Sequence, residues 1–175
     1  MSHKILAVCL DCGDTLVDEA TEVKTAGDVS LRADLIPGAD ALMRELKRRG
    51  YPLALVADGP CDTFVNNLGP YGLYELFDVY AVSETVGVQK PDARIFRYAL
   101  DHLGLTEKDY GRAVMVGNYL ARDVKGANAL GLISVWLDWA PRRPKTPVDE
   151  TERPRFTIQQ PLDLLTVLDT LENAP

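Results

Sequence analysis

Five short apolar runs punctuate the chain, at Ile5–Leu10, Leu53–Ala57, Val79–Val82, Ala113–Val116 and Ile133–Leu137. Unbroken hydrophobicity over so few residues marks strands buried on both faces. Between the runs the period changes. Ala39, Leu42, Met43 and Leu46 share one helical face, with Arg44, Lys47 and Arg48 opposite and Gly50 as the stop. Ile95, Phe96, Ala99, Leu100 and Leu103 repeat that pattern after Pro91 and Asp92, which mark a helix start. Asp123 to Leu130 reads as a third helix closed by Gly131. A last strand near Phe156–Ile158 leads into a helix with Leu164, Leu165, Leu168 and Leu171 inward. Strands alternating with helices predict an α/β fold: a doubly wound, Rossmann-like parallel sheet of five to six strands with helices on both faces. Right-handed crossovers leave little topological freedom. The Pro- and charge-rich segment Asp138–Pro154 is expected to be a loop or an ordered surface excursion. No repeat or second domain is visible, so residues 1–175 are expected to form one domain.

Composition narrows the class. With 175 residues, 46% hydrophobic and 26% charged, the chain is long enough for a full core and has the balance of a soluble globular protein. A net charge of -7 argues against general binding to nucleic acid or anionic membranes, because phosphate backbones reward Lys and Arg. The basic cluster Arg142, Arg143 and Lys145 lies among prolines and is expected to be a solvated loop. No apolar stretch approaches the ~20 residues that span a bilayer, and the N-terminal run is too short for a signal peptide. A cytoplasmic protein is expected. Cys9, Cys12 and Cys61 are too few and too irregularly spaced for a disulfide framework or a zinc site, so they are expected to be reduced thiols.

The chemistry-bearing residues gather after the strands, at the edge where open α/β sheets place their ligands. Asp11-Cys12-Gly13-Asp14-Thr15-Leu16 follows the first run. Val56-Ala57-Asp58-Gly59 ends the second, and its turn offers N–H donors suited to an anion. Gly87-Val88-Gln89-Lys90-Pro91-Asp92 follows the third. Val114-Met115-Val116-Gly117-Asn118 ends the fourth, with Asp123 five positions on and Gly126-Ala127 beyond.

In order and spacing these four segments resemble the motifs of the haloacid dehalogenase-like (HAD) hydrolases, and the resemblance runs from about Lys4 to the last helix. It implies that Asp11 is a nucleophile attacking phosphorus. It implies that Lys90 neutralises both Asp11 and the phosphate, and that Ala57, Asp58 and Gly59 join Lys90 in holding the phosphoryl group. Asp11, the Gly13 carbonyl, Asn118 and Asp123 would hold Mg²⁺, a hard cation that prefers oxygen ligands.

Three positions depart from the family pattern. Gly13 stands where the phosphatases carry their general acid/base Asp, Ala57 where they carry Ser or Thr, and Asn118 where they carry an acid. Asn118 brings no charge, so metal affinity is expected to be weakened. Asp14 is a further candidate for the missing acid/base, although its expected direction is toward the following flap.

Roughly twenty residues separate Thr15 from Pro37, room for a flap and not for a helical cap; about thirty separate Gly59 from Lys90, which one helix and one strand use. A capless member is implied, with an open site that suits a large phosphorylated substrate or is completed by a second subunit. The leading expectation is a slow Mg²⁺-dependent phosphomonoesterase. The alternative is a catalytically impaired protein that binds a phosphorylated ligand or a protein partner. Metal-free attack on carbon, as in the family's dehalogenases, relies on a helical cap for which the spacing leaves no room. Trp136 and Trp139 either line the entrance or an interface, or pack at the core and its rim.

Overall fold

A computed structural model describes residues 3–174. Six parallel strands form the main sheet: β1 (Ala7–Leu10), β4 (Leu53–Ala57), β5 (Val79–Val82), β6 (Ala113–Gly117), β7 (Ile133–Leu137) and β8 (Phe156–Ile158). Their order is β5-β4-β1-β6-β7-β8. Every residue of β1, β4, β6 and β7 is buried, which accounts for the unbroken apolar runs.

Alternate side chains feed two cores. Leu10, Leu55, Val114 and Val116 face one side, packed by Leu42, Met43 and Leu46 of α1 (Ala39–Arg48), Phe64 and Leu68 of α2 (Cys61–Leu68), and Leu164 and Leu168 of α6 (Asp163–Asn173). Ala7, Cys9, Ala54, Val56 and Met115 face the other, covered by Ile95, Phe96, Ala99 and Leu100 of α4 (Ala93–His102) and by Ala127 of α5 (Lys125–Ala129). A one-turn helix, α3 (Ser83–Val86), precedes α4. The chain moves outward through β4 and β5, then returns to β6 on the other side of β1, so the switch point lies between β1 and β6. Asp11 and Asn118 flank it, which is where such sheets open a crevice.

Two regions differ from the pattern reading. The flap after β1 is a regular antiparallel ribbon of β2 (Val17–Lys24) and β3 (Ser30–Leu35). Its strands are mostly polar, so periodicity does not reveal them. The ribbon is tied to α2: Thr63 Oγ1 accepts from Ser30 N at 3.0 Å, and Ser30 Oγ donates to Asn67 Oδ1 at 2.8 Å. The expected helix Asp123–Leu130 begins instead as a wide π-turn over Leu120–Val124 that narrows into α5. Within that turn Asp123 folds back to accept from Tyr119 N at 2.9 Å. Gly117 permits this, since a Cβ there would sit 2.2 Å from Asp123 Cγ.

The excursion after β7 is ordered. A short turn at Glu150–Glu152 is fastened to α5 by Asn128 Nδ2, which donates to the carbonyls of Thr151 and Arg153. Among the described residues no helix is long and apolar enough to cross a membrane.

Candidate active site

Lys90 is the hub of the sheet edge. Its ammonium lies 2.8 Å from Asp11 Oδ1 and 2.7 Å from Asp123 Oδ1, and donates to the Val56 carbonyl at 2.8 Å. Strand β4 and the segments after β1, β6 and α3 thus meet at one nitrogen. The side chains of Lys90 and Asp123 are 2% and 1% exposed, so these charges leave water almost completely. Burial works against the Lys90 ammonium, but Asp11 and Asp123 outweigh it and raise its pKa above the ordinary lysine value. Burial pushes the Asp123 carboxyl up, with Lys90 holding it back.

Asn118 forms the other wall. Its Nδ2 donates to Asp11 Oδ2 at 3.3 Å, to Thr15 Oγ1 at 3.3 Å and to the Gly13 carbonyl. Its Oδ1 is buried with no hydrogen-bond partner among the described residues. Trp136 Nε1 donates to the Asn118 carbonyl at 3.0 Å, so the indole packs behind the site. Trp139 packs at the rim of the core.

A cavity of about 180 Å³ opens over these groups. Asp11, Gly13, Asp58, Gly59, Lys90, Asn118 and Asp123 all line it, so seven of the eight residues singled out in sequence meet there. Ala57 does not: it is fully buried beneath the loop. Gly59 N already donates to Ser83 Oγ at 2.9 Å, which engages the donor expected for an anion. Asp58 accepts from Lys90 N at 3.0 Å and pairs with Arg122 at 3.2 Å.

Other lining groups were missed. Glu19 and Glu22 enter from β2, and Arg122 and Arg143 approach from the side of Tyr119. The expectation of a solvated basic loop is corrected for two of its residues. Arg142 and Arg143 clamp the flap: both contact Asp14, Arg143 Nε lying 3.3 Å from Asp14 Oδ2, and Arg143 Nη2 donates to Glu19 Oε2 at 2.6 Å. Lys145 instead pairs with Asp138.

Asp14 does turn toward the flap. It is fully buried at φ 51° and accepts from Glu19 N at 3.2 Å. Burial raises the Asp14 carboxyl against the pull of Arg142. Burial and the repulsion of Asp14 likewise raise the Glu19 carboxyl, with Arg143 opposing. Cys12 is buried, and burial plus Asp11 push its thiol well above the ordinary range, so it stays protonated.

This geometry has relatives. Residues 14–131 match the haloacid dehalogenase-like hydrolases, and the chain belongs to that family. The match starts three residues after Asp11. Phosphoserine phosphatase of Thermus thermophilus is 39% identical over 107 residues, covering 61% of this chain and 42% of its own. Glyceraldehyde 3-phosphate phosphatase of Methanopyrus kandleri is 30% identical over 138 residues, covering 79% of this chain and 56% of its own. The chain therefore spans about half the length of the curated relatives it matches.

Among solved structures, a HAD phosphatase from Thermococcus onnurineus superposes with TM-score 0.76 at 20% identity, over 94% of this chain and 98% of that one. YfnB from Bacillus subtilis, crystallised with magnesium, gives TM-score 0.66 at 27% identity over 78% of this chain and 57% of that one. The chain is thus a HAD-like hydrolase whose relatives include phosphatases.

Proposed function

We propose that the protein is a slow, Mg²⁺-dependent phosphomonoesterase that works through an aspartyl-phosphate on Asp11. The observation that carries this reading is the ammonium of Lys90 lodged between Asp11 and Asp123 at the mouth of the crevice. A carboxylate approaching a phosphate dianion meets strong repulsion. A buried ammonium beside it offsets that repulsion and costs no reorganisation during reaction.

In the first step an Asp11 carboxylate oxygen bonds to phosphorus as the ester P–O bond breaks. In the second, water attacks phosphorus, the Asp11–phosphorus bond breaks, and inorganic phosphate leaves. Lys90 contacts the phosphoryl group, with Arg122 and Arg143 as further cations lining the cavity. The turn at Asp58 and Gly59 shapes the floor of that subsite, with Ala57 buried beneath it at the end of β4.

The oxygen set suits a hard cation. Asp11 Oδ2 and the Gly13 carbonyl both converge on the Asn118 amide, whose oxygen is buried without a donor among the described residues. Turning that amide over adds a third oxygen to the two, and Asp123 supplies the second carboxylate nearby. Asp11, Gly13, Asn118 and Asp123 would hold Mg²⁺, which when bound stabilises charge on the phosphoryl oxygens. Two carboxylates balanced by one ammonium leave a single negative charge for it, so weak affinity is expected.

Residues 1–175 are read as one core domain whose open side takes a phosphorylated molecule or is closed by a second subunit. Hydrolysis of p-nitrophenyl phosphate with Mg²⁺, compared with Asp11→Asn, tests the proposal; equal rates for the two proteins remove it.

One observation favours a second reading, a binder of phosphorylated ligands without turnover. As placed, the Asn118 NH₂ already fills the point between Asp11 and Gly13. A rise in melting temperature with inorganic phosphate and no aspartyl-phosphate would support that alternative.

A further inference from the structure

Resting on the phosphatase reading, a question of proton supply remains. An alkoxide leaving group must gain a proton, and the attacking water must lose one. Of the carboxylates lining the cavity, most are committed. Asp11 bonds phosphorus, Asp123 is locked between Lys90 and Tyr119 N, and Asp58 is held by Arg122 and Lys90 N. Glu22 pairs with Lys24 and accepts from Asn67, while Asp28 pairs with Lys24 on the exposed turn. Asp14 is sealed beneath the flap.

Glu19 differs. An ideal Cβ on Gly13 would lie 1.9 Å from Glu19 Oε1, 2.7 Å from its Cδ and 2.9 Å from its Cγ. The carboxylate of Glu19 therefore occupies the volume that any side chain at position 13 would fill, two residues after Asp11. One oxygen, Oε2, is fixed by Arg143 at 2.6 Å, and the backbone is pinned by the bond from Glu19 N to Asp14 at 3.2 Å. The other oxygen, Oε1, is the atom turned toward Gly13. The side chain is 32% exposed, so water reaches it.

We propose that Glu19, brought in by the flap strand β2, is the general acid/base of this site and replaces in space the side chain that Gly13 lacks. In the first step the protonated Glu19 carboxyl gives its proton to the departing ester oxygen. In the second, the resulting carboxylate takes a proton from the water that attacks phosphorus, and is restored for the next cycle. Gly13 and Glu19 are thus one device: a side chain at position 13 would displace the flap carboxylate from its present place.

The experiment compares the wild-type chain with Glu19→Gln, with Mg²⁺, on p-nitrophenyl phosphate and on glycerol phosphate. The aryl ester leaves without protonation, so Glu19→Gln should release a stoichiometric burst of p-nitrophenolate. It should then stall with Asp11 phosphorylated, its steady rate down ~10²–10⁴-fold. The alkyl ester, which needs the acid at once, should show no burst. A second pair, Glu19→Ala and Glu19→Ala/Gly13→Asp, guards against misfolding: the carboxylate put back from position 13 should recover turnover that the single variant lacks. A Glu19→Gln enzyme that hydrolyses both esters at the wild-type rate overturns the assignment of Glu19 alone. A wild-type chain that hydrolyses neither ester overturns the phosphatase reading and this one with it.

Discussion

Replacing Lys90 by Met isolates the energetics of the hub. The ammonium sits 2.8 Å from one carboxylate and 2.7 Å from another, with 2% of its side chain exposed. At an effective dielectric constant near ~20, each contact is a Coulomb attraction of about 6 kcal/mol. That gross figure overstates the loss, because Lys90→Met also removes the cost of burying an ammonium. What remains is Asp123, 1% exposed, beside Asp11 with no cation between them. Orphaning a buried charge in this way costs about 3–5 kcal/mol, a large share of the ~5–15 kcal/mol by which domains are stable.

The sign of the double variant is the sharper test. Asp123→Asn removes the stranded charge and keeps an oxygen for the Tyr119 N–H, so Lys90→Met/Asp123→Asn should be more stable than Lys90→Met alone. Equilibrium urea unfolding at mildly alkaline pH gives all corners of the cycle. The reasoning fails if Lys90→Met loses less than about 1 kcal/mol, or if the two losses simply add.

Two further outcomes are expected away from the hub. Gly126→Ala would put a methyl 2.2 Å from Phe96 Cε2, and overpacking by about 1–3 kcal/mol should exceed the ~1 kcal/mol helix-propensity gain. The melting temperature should therefore fall, and Phe96→Leu in the same chain should recover part of it; a rise for Gly126→Ala refutes the packing account. Glu172 accepts from Lys4 N at 2.7 Å, Ile5 N at 3.2 Å and the Tyr51 hydroxyl at 3.0 Å. Burial pushes its carboxyl up, but the Lys4 and Ile5 N–H groups outweigh this and lower it from the ordinary 4.5. A lowered folded-state pKa means stability present above 4.5 and lost as pH falls through the folded value. Glu172→Gln should lower the melting temperature at neutral pH and flatten its fall into acid; an unchanged acid profile refutes the linkage.

The sheet was legible because burial on both faces leaves strands with one kind of residue. Leu53 to Ala57 has no polar position to lose. The flap was not, for the opposite reason. Val17 to Lys24 reads VDEATEVK, and only Val17 of that strand is buried. Its other side chains serve a cavity and its ties to α2, which leave no hydrophobic period. Lys90, Asp11, Asn118 and Asp123 were legible as a group because each follows a strand that could be found. Arg142 and Arg143 were not, since their partner Asp14 lies 128 residues from Arg142 and nothing local marks the pairing. Glu19 left a faint trace: a missing side chain at Gly13 and an acidic residue six positions later.

That trace suggests how the departures from the family pattern belong together. Gly13 opens a volume, and Glu19 enters it with its backbone N–H bonded to Asp14 and its Oε2 held by Arg143. Asn118 fits the same logic. A carboxylate at that position would place a third negative group against Asp11 and Asp123, with Lys90 the single ammonium among them. A neutral amide at that position meets Asp11 and the Gly13 carbonyl without adding a further charge. The buried edge of the sheet thereby keeps its charges nearly balanced, and proton-transfer chemistry moves to the half-exposed flap. Charge that must stay fixed and charge that must exchange protons with water need different burial, and the ribbon after β1 lets one crevice offer both.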